Sequence, residues 1–199
     1  MFLTSLKHCG KWDVLASVFK IKSPTFQKVI TSFATVVSSF LYKRFVVSAA
    51  DKSTIETLVL GGNTFRNNPY ARYATDVTSQ HTTMPSGQIK ERSAYYSAKH
   101  HLHGYKTEVS VLPNGQSINC TNHYPGSEAD IEIFRHNAEF HLQHLLKSNK
   151  DTELIDEGPL RDKYPETWAV LADKGYQGLA EDFRAIAPFK KPLMGNLTI

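Results

Sequence analysis

Residues Tyr70–Gln80 read YARYATDVTSQ. The tyrosines, threonines and valine suit a strand, but the aspartate at position 76 does not. Asp76 is therefore either a turn signal or a ligand held out on a rigid edge, and the sequence around it has to decide.

Downstream, Gly104–Leu112 (GYKTEVSVL) alternates strongly and is the best strand of the chain. Pro113-Asn114-Gly115 follows as a turn in which Asn-Gly favours hairpin geometry, and Gln116–Tyr124 returns as the partner strand. A helical pattern runs from Ile131 to about Lys147, and Ser148–Glu157 reads as a polar loop. Trp168–Ala172 is a short buried strand that stops at Asp173. Gly175 and Gly178 bracket a turn, a short helix lies near Leu179–Phe183, and Arg184–Ala187 is a last strand. Strands interleaved with helices predict an α/β domain with a mixed sheet.

Upstream, positions 5–22 carry loosely helical apolar spacing. Ser23-Pro24 then reads as a helix start, with Ser23 as cap. Two short helices at a tight turn resemble a helix-turn-helix. Residues 46–68 are mixed, with a turn at Gly61-Gly62-Asn63. Seven cations (Lys7, Lys11, Lys20, Lys22, Lys28, Lys43, Arg44) face Asp13 alone in residues 1–50, whereas the whole chain carries a formal +4. A basic arm on a slightly acidic body suits a polyanionic partner, and equally a solvated helical surface.

The 199 residues, 41% hydrophobic and 21% charged, fit one ordinary domain plus a small segment. Val29–Val47 is apolar but holds five Ser/Thr and then Lys43-Arg44, which predicts a buried or amphipathic helix rather than a membrane span. No cleavable secretory signal is expected, and Cys9 and Cys120 give neither a disulfide framework nor zinc spacing. Asn119–Thr121 and Asn196–Thr198 match the glycosylation pattern by chance.

Three aspartates share one description. Asp76 sits near a strand end, Asp130 follows the turn after the hairpin, and Asp173 ends a strand. Open α/β sheets put their chemistry at strand ends. Clustered carboxylates repel unless a cation lies between them, and Mg²⁺ takes oxygen ligands of this kind. Taken singly, Asp130 reads as a helix cap and Asp173 as a turn former. Lys90–Lys106 interleaves Lys90, Arg92, Lys99 and Lys106 with three tyrosines and His100, His101 and His103. Such a segment suits DNA contact, with a solvated strand edge or a histidine metal site as alternatives.

The order Ala74-Thr75-Asp76-Val77, Tyr95-Tyr96-Ser97-Ala98-Lys99-His100-His101-Leu102-His103-Gly104-Tyr105-Lys106, Tyr124-Pro125-Gly126-Ser127-Glu128-Ala129-Asp130 and Leu171-Ala172-Asp173-Lys174-Gly175-Tyr176 resembles a DDE-type transposase nuclease domain of the Harbinger-like branch. The resemblance covers roughly Tyr70 to Pro192. It implies a ribonuclease-H-like mixed sheet flanked by helices over residues 65–199, after a basic helical segment at 1–50. It further implies metal-dependent cutting and joining of DNA, with Mg²⁺ or Mn²⁺ as cofactor. Asp76 and Asp130 match the family's first two metal-binding aspartates, and Asp173 the aspartate of its Asp-x-Gly-Tyr motif. Arg92, Lys99, His100 and Lys106 are the candidate DNA contacts.

The family's catalytic glutamate, in an Arg-x-x-x-Glu pattern on a later helix, has no counterpart here. Glu181-Asp182-Phe183-Arg184 has the right residue types in the wrong order. The chain thus reads as a truncated copy, a fragment or a degenerate element, and a DNA-binding protein without turnover is the alternative function. The resemblance also implies a nuclear or cytoplasmic protein that is not secreted or membrane-bound. Its expected partners are DNA and either further copies or a separate DNA-binding protein.

Overall fold

The YARYATDVTSQ segment is the central strand of a mixed sheet. We describe a computed structural model over residues 1–8 and 10–188. Cys9 and the Asn196–Thr198 match lie outside the described residues. The chain divides into two units, Met1–Val47 and a second that begins at Ser48.

The first unit holds α1 (Phe2–His8), α2 (Trp12–Val18) and α3 (Ser23–Leu41), followed by a π-helical turn, Tyr42–Val47. Leu15, Ala16, Phe26 and Ile30 are its buried core, with Phe2, Trp12, Phe19 and Ile21 against them. Lys22, not Ser23, occupies the cap position of α3, and its side chain makes no cap bond. Val29–Val47 is helical and amphipathic, as one of the two expectations had it, but not buried: Val29, Phe33, Val36 and Phe40 are all exposed. The continuous helix Ser23–Lys52 is long and apolar enough to cross a membrane, with 6% of its apolar window buried. Length and composition alone do not make it a span.

The second unit opens with α4 (Ser48–Lys52) and α5 (Ile55–Leu60), the latter ended by the turn at Gly61-Gly62, with Gly62 at φ 65°. The sheet follows as β1 (Ala71–His81), β2 (Tyr96–Ser97), β3 (Leu102–Val111), β4 (Ser117–Cys120), β5 (Tyr124–Pro125), β6 (Ala169–Ala172) and β7 (Ala185–Ile186). Helix α6 (Ile89–Ala94) lies between β1 and β2, and α7 (Asp130–His136) and α8 (Ala138–Leu145) lie between β5 and β6. The main strand order is β2-β3-β1-β6-β7, with β4 and β5 also paired to β3. β3 is antiparallel to β1, whereas β6 and β7 continue the sheet in parallel. This is a mixed α/β fold of the ribonuclease-H-like kind, as expected.

Three local expectations are corrected. The single helix from Ile131 to Lys147 breaks at Asn137, whose φ/ψ of −95°/15° leaves the helical region. Asn137 turns its side chain to Glu108 instead. Lys90–Lys106, read as a strand edge, begins in α6, closed at its start by a Gln88/Glu91 capping box, and only then supplies the edge strand β2 and the start of β3. The loop after Lys147 contains a 3₁₀ turn, Asn149–Glu153, capped by Ser148 and Asp151.

Tyr73, Leu112, Phe134, Val170, Tyr176, Leu179 and Phe183 belong to the buried cluster of this unit. Gly104 lets β3 approach β1. A Cβ there would lie 2.3 Å from the Gln80 carbonyl oxygen, a backbone atom that cannot yield cheaply. Below β6 and β7, the fully buried Arg184 guanidinium grips Asp156 at 2.5 and 2.7 Å, and Lys147 reaches the same carboxylate at 2.7 Å. Burial alone would push the Asp156 carboxyl up, but the bonds from Arg184, Lys147 and the Gly158 N–H override it and hold it at about 2.

Candidate active site

Parallel pairing of β1 and β6 sets Ala74 beside Leu171 and Thr75 beside Ala172. Asp76 is the residue after Thr75, and Asp173 is the residue after Ala172. The two acids therefore stand at the same level. Asp173 lies just past the end of β6, but Asp76 lies inside β1, which stays paired to β3 as far as His81, so the expectation of Asp76 near a strand end is corrected. Side chains alternate between the faces of a strand. Asp76 thus shares a face with Ala74 and Thr78, and Asp173 continues the face of Leu171. Ala74, Thr107, Val109, Val111 and Leu171 on this face are half-buried, while Asp76, Thr78 and Asp173 are exposed. Asp76 Oδ1 accepts the Val77 N–H at 2.8 Å. Asp173 holds the cap position of a 3₁₀ turn, Lys174–Tyr176, yet its carboxylate makes no cap bond. Neither acid is in an ion pair among the described residues.

Asp130 is placed differently. It is the first residue of α7, behind Ala129 at the cap position. Its Oδ1 lies 2.8 Å from Lys106 Nζ, and its Oδ2 lies 3.8 Å from Lys99 Nζ. Lys106 also donates to the Glu128 carbonyl at 2.7 Å, and its side chain is 8% exposed. By register Lys106 pairs with Ser79 and shares the buried face with Glu108, the face away from Asp76. A methyl group at Gly175 would come within 3.4 Å of Asp130 Oδ2, so this carboxylate borders the turn that carries Asp173.

Tyr176 reports how the acids converge. Burial raises its phenol well above the usual range, and the charges of Glu108, Asp76, Asp130 and Asp173 raise it further. Its hydroxyl is buried with no hydrogen-bond partner among the described residues.

Sequence reasoning missed the polar group behind the site. The fully buried Glu108 carboxylate meets His141 Nε2 at 2.9 Å and accepts from Asn137 Nδ2 at 2.7 Å. His141 Nδ1 lies 2.9 Å from the Tyr73 hydroxyl. The His141 ring stacks on Phe134, with centroids 3.6 Å apart. Glu108 Oε2 has no partner among the described residues. The alternation of β3 held a signal for this, because Lys106, Glu108 and Ser110 all fall on one side.

The expected DNA contacts divide. Lys99 and His100 are exposed in the turn between β2 and β3, and Arg92 is half-buried on α6. Lys106 is buried and engaged by Asp130 and Glu128. Lys99, Lys106, Tyr96, Ser127 and Asp130 line an open cleft of about 270 Å³. Among the described residues no group of three or more His, Cys, Asp or Glu is gathered to hold a metal ion, neither His100, His101 and His103 nor Asp76, Asp130 and Asp173.

The order and direction of the strands are those of a ribonuclease-H-like fold. A sequence profile described as DDE superfamily endonuclease matches residues 75–198, and the chain belongs to that family. No curated protein and no solved structure shows a significant match. Membership implies a nucleic-acid substrate, and the family is typically metal-dependent. The donors here are carboxylate oxygens, which suit a hard divalent ion. Among the described residues Asp76 and Asp173 have no competing cation, whereas Asp130 already has one in Lys106.

Proposed function

We propose that this domain cuts and joins DNA phosphodiester bonds in the manner of a Harbinger-like transposase, with Asp76 and Asp173 as the residues that hold Mg²⁺ or Mn²⁺. The parallel register that sets Asp76 beside Asp173 on an unburied face is the observation that carries this reading. A bound divalent ion would polarise the phosphodiester and favour attack by water or a 3′-hydroxyl. Asp130 anchors Lys106 and Lys99 at the rim. Exposed Lys99 and His100, with Arg92 nearby, neutralise DNA phosphates. Glu108 and Tyr176 hold the floor of the site from the buried side.

The test is nicking of supercoiled plasmid with Mg²⁺ or Mn²⁺, together with Mn²⁺ binding followed by electron paramagnetic resonance. Asp76→Asn and Asp173→Asn should each weaken Mn²⁺ binding and cut the nicking rate about a hundredfold or more, since a metal supplies several kcal/mol of transition-state stabilisation. Asp130→Asn should lose less Mn²⁺ affinity than either. If it loses as much, Asp130 is a direct ligand. Nicking that survives Asp76→Asn and Asp173→Asn would remove the proposal. Metal-independent DNA affinity without any nicking would instead favour a transposase-derived binding protein.

A further inference from the structure

The first unit lies outside the matched residues, and the aspartate site leaves it unexplained. Among the described residues, more than half of the exposed large apolar side chains belong to it. Helix α3 carries the most regular set. Val29, Phe33, Val36 and Phe40 are between 45% and 75% exposed. At 3.6 residues per turn they fall within about 60° of one another, a narrow stripe along one side of the helix. The ring of Phe2, edge-on to Phe33 at 4.9 Å, widens the stripe near its start.

This stripe is not the side that α3 turns to its own core. Phe26 and Ile30 fill that side and are buried. Gln27, Lys28, Thr31 and Thr35 cover the opposite side and are exposed. The stripe runs between the two. Its steps of four, three and four residues are the repeat of the a and d positions of a coiled coil. A helix that crosses a bilayer is apolar all round, and the polar side of α3 breaks that pattern. A narrow seam of this kind suits another helix.

We propose that α3 pairs with α3 of a second copy of this chain, in antiparallel orientation, through this stripe. Side-chain size sets the direction. With the two-fold axis between Phe33 and Val36, Phe33 faces Val36 of the partner subunit and Val29 faces Phe40 of the partner subunit. Each large ring then meets a small side chain, and the seam closes without voids. A parallel pair would crowd ring against ring and leave gaps at the valines. Charge points the same way. Lys43 and Arg44 follow the far end of α3, and no acid occurs between Asp13 and Asp51 to offset them. Antiparallel pairing keeps the two basic ends apart and opposes the helix dipoles, whereas parallel pairing sets like charges side by side. A seam of this length covers roughly 500 Å² on each copy, about 1,000 Å² in all, which is the low end for a specific complex and fits a reversible dimer.

The test is sedimentation velocity of the full chain over a range of concentrations, in EDTA and without DNA or detergent. The expected result is a monomer–dimer equilibrium with a dissociation constant on the order of micromolar. Val36→Lys and Phe40→Lys should each weaken it by about tenfold or more, whereas Thr35→Lys, on the polar side, should change it by less than about twofold. Circular dichroism should be unchanged in all three, since these side chains are exposed. Direction is read by disulfide trapping with Cys9 and Cys120 replaced by serine. Val29→Cys mixed with Phe40→Cys should give a crosslinked dimer, and neither variant alone should. Asp76→Asn and Asp173→Asn should leave the dimer intact, so a failure here would not touch the metal site. A chain that stays monomeric at every concentration, a dimer that survives both stripe lysines, trapping of either cysteine variant alone, or capture of the monomer by phosphatidylcholine vesicles would each overturn the proposal.

Discussion

The two faces of the central sheet carry acids of opposite fates. On the buried face, Glu108 is fully enclosed and paired with His141 and Asn137, while Thr75 and Ser110 hydroxyls meet at 3.2 Å. On the other face, Asp76 and Asp173 are exposed and unpaired among the described residues. A shift of one residue along β1 separates Asp76 from the buried face. A carboxylate drawn into the interior must be paired, because desolvation is costly, and it then serves structure. A carboxylate left on the exposed face has lone pairs free for a cation.

The sharpest break of this contrast is Glu108→Ala. It leaves His141 and Asn137 with unmatched polar atoms in the core, so urea denaturation should show a loss of about 3–5 kcal/mol. Glu108→Gln keeps an acceptor for them and should cost less than half as much. A loss under about 0.5 kcal/mol for the alanine variant, the range of ordinary surface changes, would mean that this face is not closed.

Next in size is the acid response of Asp156. Its folded pKa, about 2, lies below the ordinary carboxylate value, so the stabilisation is fully present above about pH 4. It is lost as pH falls through 2, and the shift corresponds to about 2 kcal/mol. Denaturation curves collected between pH 5 and 2 should show this loss in the wild type, and a smaller slope in Asp156→Asn. Equal slopes would show that the Arg184 and Lys147 bonds do not lower this carboxyl.

The smallest effect falls on the open face. Asp76→Asn should shift stability by no more than about 0.5 kcal/mol while abolishing metal-dependent activity. A large drop in melting temperature would place Asp76 with the structural acids instead.

Much of the domain is legible in local pattern. The strand around Asp76, the hairpin with its Asn-Gly turn and the strand ending at Asp173 follow from residue type and spacing, and the order of motifs points to the family. The face that β3 buries does not follow. Tyr105, Val109 and Val111 make the apolar side of its alternation, yet Lys106, Glu108 and Ser110 are the buried set. Helices α7 and α8 supply Asp130, Asn137 and His141 to satisfy those polar groups, and no window within β3 contains that information.

The sequence by itself determined the elements, the acids they carry and the basic bias of the first fifty residues, because turn chemistry and side-chain period act over a few neighbours. Only the tertiary structure decided the rest. It set Asp76 beside Asp173 through parallel pairing of distant strands and gave Asp130 to Lys106. It also turned the polar side of α3 outward by locking Phe26 and Ile30 beneath it. Pairing between remote segments is chosen by what the whole fold can bury and satisfy, and that balance is not written in any one of them.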